Sequence, residues 1–144
     1  MENSSEVFAD AGPRTYWPMA RAAHVDLHLL STQRVNLLLT GANAVVQDAL
    51  SRLMPTLRGP IQTWTPREPL ELPPPAQSGT LILRDVGSLS PGDQYRLLTW
   101  LELSSGRTQV ISTTSSLLLE LVESGGFHDT LYYRLNVACL ELTA

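Results

Sequence analysis

Gly79-Thr-Leu-Ile-Leu-Arg-Asp-Val-Gly-Ser-Leu89 is the most informative stretch of the chain. A polar, proline-rich segment leads into it, Leu81, Ile82 and Leu83 form its middle, and Arg84-Asp85 closes it. An apolar run this short reads as a buried strand rather than a helix. Strands buried on both faces belong to parallel sheets covered by helices. Such sheets collect ligands beyond the carboxyl ends of their strands, where Arg84 and Asp85 stand.

Working outward, Ser90-Pro91-Gly92-Asp93 is a helix start, with Ser90 as cap and Pro91 in the first turn. That helix is expected to run to about Leu103 and to bury Tyr95, Leu98 and Leu101. Gln109 to Thr114 reads as a strand, Leu117 to Glu123 as a short helix closed by Gly125-Gly126, and Thr130 to Leu135 as further helix. Val137 to Glu141 makes a last strand, with Cys139 a core residue, since no histidine accompanies it as a nucleophile's partner. Upstream, Val35 to Thr40 is another buried strand, ended by Gly41. Asn43 is expected to cap a helix whose stripe is Val45, Val46, Ala49, Leu50, Leu53 and Met54. Ile61 to Trp64 is a brief strand, and the prolines between Pro66 and Ser78 predict an extended surface connection. Pro18 to Leu30 has helical spacing and carries His24 and His28 four apart. No third metal ligand is evident, so two solvent-facing histidines are the plainer reading. Residues 1–15 read as a flexible tail and residues 16–144 as one domain. Strands alternating with helices predict a doubly wound α/β fold, its mostly parallel sheet covered on both faces.

Composition narrows the chemistry. The chain has 144 residues, a net charge of −4 and a single cysteine. Neither nucleic acid nor an anionic membrane gains a general attraction from that charge. One cysteine excludes an internal disulfide framework. No run approaches the ~20 apolar residues of a membrane helix, and the acidic start is no signal peptide, so a cytoplasmic protein is expected. All ten basic residues are arginines. Without lysine there is no Schiff-base chemistry and no lysine-dependent phosphate loop.

Phe127-His-Asp-Thr-Leu-Tyr-Tyr-Arg-Leu-Asn-Val137 brings a family into view. It resembles Phe-Arg-x-Asp-Leu-Tyr-Tyr-Arg-Leu-Asn-Val of the AAA+ core domain of sigma-54-dependent transcription activators, departing at His128 and Thr130. Gly79–Leu89 is similar to that family's Gly-Thr-Leu-Phe-Leu-Asp-Glu-Ile-Gly-x-Leu. Gln94, Leu97, Leu98 and Leu101 match its Gln-x-x-Leu-Leu-x-x-Leu, and Val110 to Ser115 looks like its strand ending Ala-Ala-Thr-Asn. The resemblance covers roughly residues 18–141 and implies a P-loop NTPase-like fold.

The departures fall on the chemistry that the resemblance implies. The family's phosphate loop, Gly-Glu-Ser-Gly-Thr-Gly-Lys-Glu, aligns with Gly41-Ala-Asn-Ala-Val-Val-Gln-Asp48. A phosphate loop needs glycines for a concave ring of N–H groups and a lysine for the outer phosphates. Here Val45 and Val46 are expected to extend the helix backwards, and Gln47 stands in the lysine's place. Arg84 aligns with the metal-side aspartate and Asp85 with the catalytic glutamate; an arginine there repels magnesium. The plainer reading is an Arg84–Asp85 surface pair; the sharper one has Arg84 holding a phosphate directly. Ser115 aligns with the family's sensor asparagine, with Thr114 kept before it. Of two arginines that reach a neighbouring subunit's nucleotide, the first is His128 here and Arg134 matches the second. Gly41, Asn43, Gln47, Asp48, Arg84, Asp85, Thr114 and Ser115 thus outline a vestigial nucleotide site, and His128 and Arg134 a subunit interface. Only 38 positions separate Gly41 from Gly79, too few for the family's surface loop with Gly-Ala-Phe-Thr-Gly-Ala, which grips the sigma factor. Neither helical lid nor helix-turn-helix reader is expected after Glu141.

These residues predict a degenerate sigma-54-interaction domain without catalysis, cofactor or metal. It would act through protein contacts with a full-length activator, the sigma factor or another copy of itself. Direct DNA binding has no support, since no basic helix is visible. The alternative is an ATP-binding sensor or weak ATPase with a rebuilt phosphate site. A decaying gene fragment is the third reading.

Overall fold

Side chains alternate across a strand, and here the alternation sorts leucines onto two layers. The computed structural model describes residues 34–142. The expected tail over residues 1–15, and the helix carrying His24 and His28, lie outside the described residues. Five strands are present among them: β1 (Leu37–Thr40), β2 (Ile61–Trp64), β3 (Gly79–Leu83), β4 (Thr108–Thr114) and β5 (Ala138–Glu141). They pair in the order β2-β3-β4-β1-β5, every neighbouring pair parallel. Four α-helices join them: α1 (Asn43–Leu53), α2 (Pro91–Ser104), α3 (Leu118–Ser124) and α4 (Asp129–Leu135).

Leu37 and Leu39 of β1, Ile82 of β3, Ile111 of β4 and Leu140 of β5 pack with Val46, Ala49, Leu50 and Leu53 of α1. Leu38, Leu81, Leu83 and Val110 turn the other way, onto Leu97, Trp100 and Leu101 of α2, Leu118 of α3, and Leu131 and Leu135 of α4. Among the described residues, one helix therefore covers one face of the sheet and three cover the other, as the doubly wound reading requires. Full burial of each such side chain is worth about 1.5–3 kcal/mol over leaving it exposed.

Local chemistry sets the ends. Ser90 caps α2, its Oγ accepting the Asp93 N–H at 3.1 Å, with Pro91 in the first turn. Gly125, at φ 88°, closes α3. Gly41 (φ 156°) and Gly79 (φ 155°) are tight spots: an added Cβ would lie 2.7 Å from the Leu142 carbonyl oxygen at the first and 2.5 Å from that of Pro60 at the second.

Three details differ from the sequence reading. Asn43 is the first residue of α1, not its cap; Ala42 holds the cap position, and no side chain caps the helix. On α2 the buried face is Gln94, Leu97, Trp100, Leu101 and Ser104, while Tyr95 is 68% exposed. Burial of Leu97, Trp100 and Leu101 sets that face, and Gln94 shares it because its amide donates to the carbonyls of Leu89 (3.0 Å) and Gly126 (3.1 Å) and accepts from the His128 N–H (2.8 Å). The proline-rich connection is irregular and mostly exposed, as expected, but it is also pinned to the body of the domain. Leu70 is buried, and the indoles of Trp64 and Trp100 donate to the carbonyls of Glu68 (2.8 Å) and Pro73 (2.7 Å).

Candidate functional site

Parallel pairing brings the carboxyl ends of β1 to β4 to one edge, and a cavity of about 520 Å³ opens there. Helix α1 supplies Asn43, Val46 and Gln47 to its wall; the turn after β2 supplies Thr65 and Pro66. Arg84 and Asp85 follow β3, and Thr113 and Ser115 come from the end of β4. Five of the residues picked from the sequence are thereby brought together: Asn43, Gln47, Arg84, Asp85 and Ser115.

The backbone at Asp85 is firmly held. Its φ of 52° places it in the left-handed region, which aspartate tolerates better than most residues. Its N–H donates to Thr113 Oγ1 at 3.0 Å, and its carbonyl accepts from the Ser88 N–H (3.0 Å) and hydroxyl (2.8 Å). The Arg84 N–H donates to the Trp64 carbonyl at 3.0 Å. These bonds fix where the two side chains start and leave the charged ends unengaged. Among the described residues, neither the half-buried Arg84 guanidinium nor the exposed Asp85 carboxylate makes a hydrogen bond or ion pair. The expected Arg84–Asp85 surface pair is not formed.

Other picked residues stand apart from the cavity wall. The Gly41 N–H donates to the Thr114 carbonyl at 3.2 Å, a structural role. Asp48 pairs with Arg52 one turn on, at 2.9 Å. Thr114 faces away, its hydroxyl donating to the Ser116 carbonyl at 3.1 Å. Thr113 lines the cavity instead, as the two-residue period of a strand requires of a residue sharing Ser115's side. That period was the available signal for Thr113; Thr65 and Pro66 had none, because a turn after β2 carries no such pattern. His128 caps α4, its Nδ1 accepting the Thr130 N–H at 3.2 Å. Arg134 lies 3.9 Å from Glu102 of α2. Cys139 is half-buried rather than fully within the core, and lines a second, more apolar hollow of about 360 Å³ beside β5.

Val45 and Val46 sit inside α1, which starts at Asn43, so the segment after β1 is helix where a phosphate loop would curl. Among the described residues, the cavity's charged side chains are one guanidinium and one carboxylate, adjacent in sequence. Magnesium takes near-octahedral oxygen coordination, with carboxylates and phosphates as partners. One carboxylate can serve such a site, but the guanidinium next to it in sequence repels a divalent cation, so the charges on this wall do not favour a magnesium-bound polyphosphate. No group of three or more His, Cys, Asp or Glu among the described residues could hold a metal ion.

A family model described as the sigma-54 interaction domain matches residues 20–144. The chain belongs to that family. This ties it to sigma-54-linked transcription regulation. The chain is 37% identical over 78 residues to the HTH-type transcriptional regulatory protein TyrR of Salmonella typhimurium, covering 46% of this chain and 15% of that one. It is also 37% identical over 73 residues to the nitrogen fixation protein AnfA of Azotobacter vinelandii, covering 43% and 14%. It thus spans about one seventh of the length of these relatives. Among solved structures, NtrX from Brucella abortus in complex with ADP superposes with a TM-score of 0.68 at 16% identity, over 84% of this chain and 34% of that one. The P-loop NTPase domain of an E. coli sigma-54 activator gives 0.56 at 20% identity, over 76% and 97%. The fold is that of these P-loop NTPase domains. No helix among the described residues is long and apolar enough to cross a membrane.

Proposed function

We propose that this sigma-54 interaction domain is a non-catalytic regulatory module that works in the cytoplasm through protein–protein contacts. The observation that carries the reading is the cavity at the carboxyl edge. It lies beyond the carboxyl ends of the strands, and among the described residues its charged groups are Arg84 and Asp85 alone. Gln47 offers a neutral amide, and the chain has no lysine to neutralise outer phosphates. The packing positions of the same domain are intact: Leu131 and Leu135 of the Leu-Tyr-Tyr-Arg-Leu segment are wholly buried. The partner is a full-length activator of the same host, the sigma factor, or a second copy of the chain. His128 and Arg134 are the residues through which a neighbouring subunit would be met.

The test mixes the purified chain with a purified full-length sigma-54 activator and with sigma-54 from its host. Sedimentation is then followed across concentration. A complex with either protein, or reversible self-association, is the expected result. Three components that sediment independently at tens of micromolar would refute the reading. A nucleotide-sensing alternative draws on one observation, the unpaired Arg84 guanidinium in the cavity; it requires ATP binding that Arg84→Ala abolishes.

A further inference from the structure

We infer that the carboxyl-edge cavity binds a small oxyanion, a phosphate or carboxylate group, directly on Arg84 and without a divalent cation. The inference starts from the misfit between the cavity and a magnesium nucleotide, and it stands whether or not the chain has a protein partner. Removing a metal from a phosphate site normally leaves negative charge uncompensated. Here a guanidinium lines the same wall, so the cation is part of the protein.

Three features favour this chemistry. The Arg84 side chain is half-buried and makes no hydrogen bond or ion pair among the described residues, so its planar fork of donors is unspent. Guanidinium forks match the two oxygens of carboxylates and phosphates, and such charge-assisted bonds are about twice as strong as neutral ones. Helix α1 begins at the cavity without a side-chain cap and with no acidic residue in its first turn, which leaves its amino end electropositive toward the same space. Gln47 and Ser115 add neutral donors to the wall, neither of them engaged elsewhere among the described residues. Against these stands one carboxylate, Asp85, which lines the cavity and opposes an anion.

Arg84 and Asp85 therefore act with opposite sign. A magnesium-dependent site would lose its ligand when Asp85 is neutralised, because that carboxylate would be needed on the metal. A directly held oxyanion gains when Asp85 is neutralised and loses when Arg84 is removed. Added magnesium brings no tightening.

The experiment titrates the full chain with inorganic phosphate and, separately, with malonate, followed by amide chemical shifts in EDTA and again with excess magnesium. Arg84→Ala, Arg84→Lys and Asp85→Asn are compared, with their thermal melts as a check on folding. Binding of at least one probe in EDTA is expected. It weakens about tenfold or more in Arg84→Ala, keeps part of its strength in Arg84→Lys, and holds or tightens in Asp85→Asn. The tighter probe identifies the ligand as phosphate- or carboxylate-bearing. Failure of both probes to bind at about 10 mM, binding that requires magnesium, or binding indifferent to Arg84→Ala would each overturn the inference. None of those outcomes bears on the sedimentation test of partner binding.

Discussion

Gln94 shows how much one side chain can decide. It is 4% exposed, sits in the first turn of α2, and satisfies three backbone groups from two other segments. Gln94→Ala leaves the carbonyls of Leu89 and Gly126 and the N–H of His128 without that partner, at a cost of about 1–3 kcal/mol for a buried group so stranded. Urea unfolding should show that loss, and an unchanged midpoint would mean water replaces the amide. The same residue explains why α2 was legible in extent but not in orientation. Its apolar positions allow more than one face, and the buried one is also joined by hydrogen bonds to residues 32 and 34 positions away, which no local pattern announces. Thr113 and Thr114 make a parallel case at the site. Resemblance points to Thr114, whereas the strand's period places Thr113 with Ser115 on the cavity wall.

At the scale of elements, local signals served best where the chemistry itself is local. Ser90 was readable as a cap because cap and bonded N–H lie three residues apart. Ser90→Ala should cost about 1 kcal/mol and Ser90→Gly only a few tenths, measured by thermal or urea unfolding. A null effect would show that the first turn of α2 is held by tertiary packing alone. Leu81, Ile82 and Leu83 were readable as a strand buried on both faces, and β3 is buried along its whole length. The proline-rich connection was not readable in the same way. Its composition excludes regular structure but says nothing of Leu70 or of two indoles reaching its carbonyls, contacts that exist only once the sheet has formed. Asn43 misled because residue type favours a cap there, while α1 starts one residue earlier than a capping asparagine would allow.

For the molecule as a whole, the fold is shared with the family, and the proposed difference lies in the chemistry. The parallel sheet, its two leucine layers and the buried Leu131 and Leu135 belong to a fold shared with P-loop NTPase domains of sigma-54 activators. The groups at the carboxyl edge agree instead with an anion-binding or silent surface. Fold membership carries no activity by itself; activity belongs to the residues at the site. Arg84, Asp85 and Gln47 stand there, in a chain whose basic residues are all arginine. Hydrolysis of MgATP asks for charge compensation at the outer phosphates together with a held metal, and on the proposed reading Arg84 and Asp85 do not supply that combination. The most direct measurement is phosphate release from millimolar MgATP by the purified chain, followed across protein concentrations high enough to permit assembly. The expected rate equals that of the protein-free control at every concentration. Turnover that rises with protein concentration and disappears in Asp85→Asn would contradict the non-catalytic reading and make Asp85 a working catalytic group.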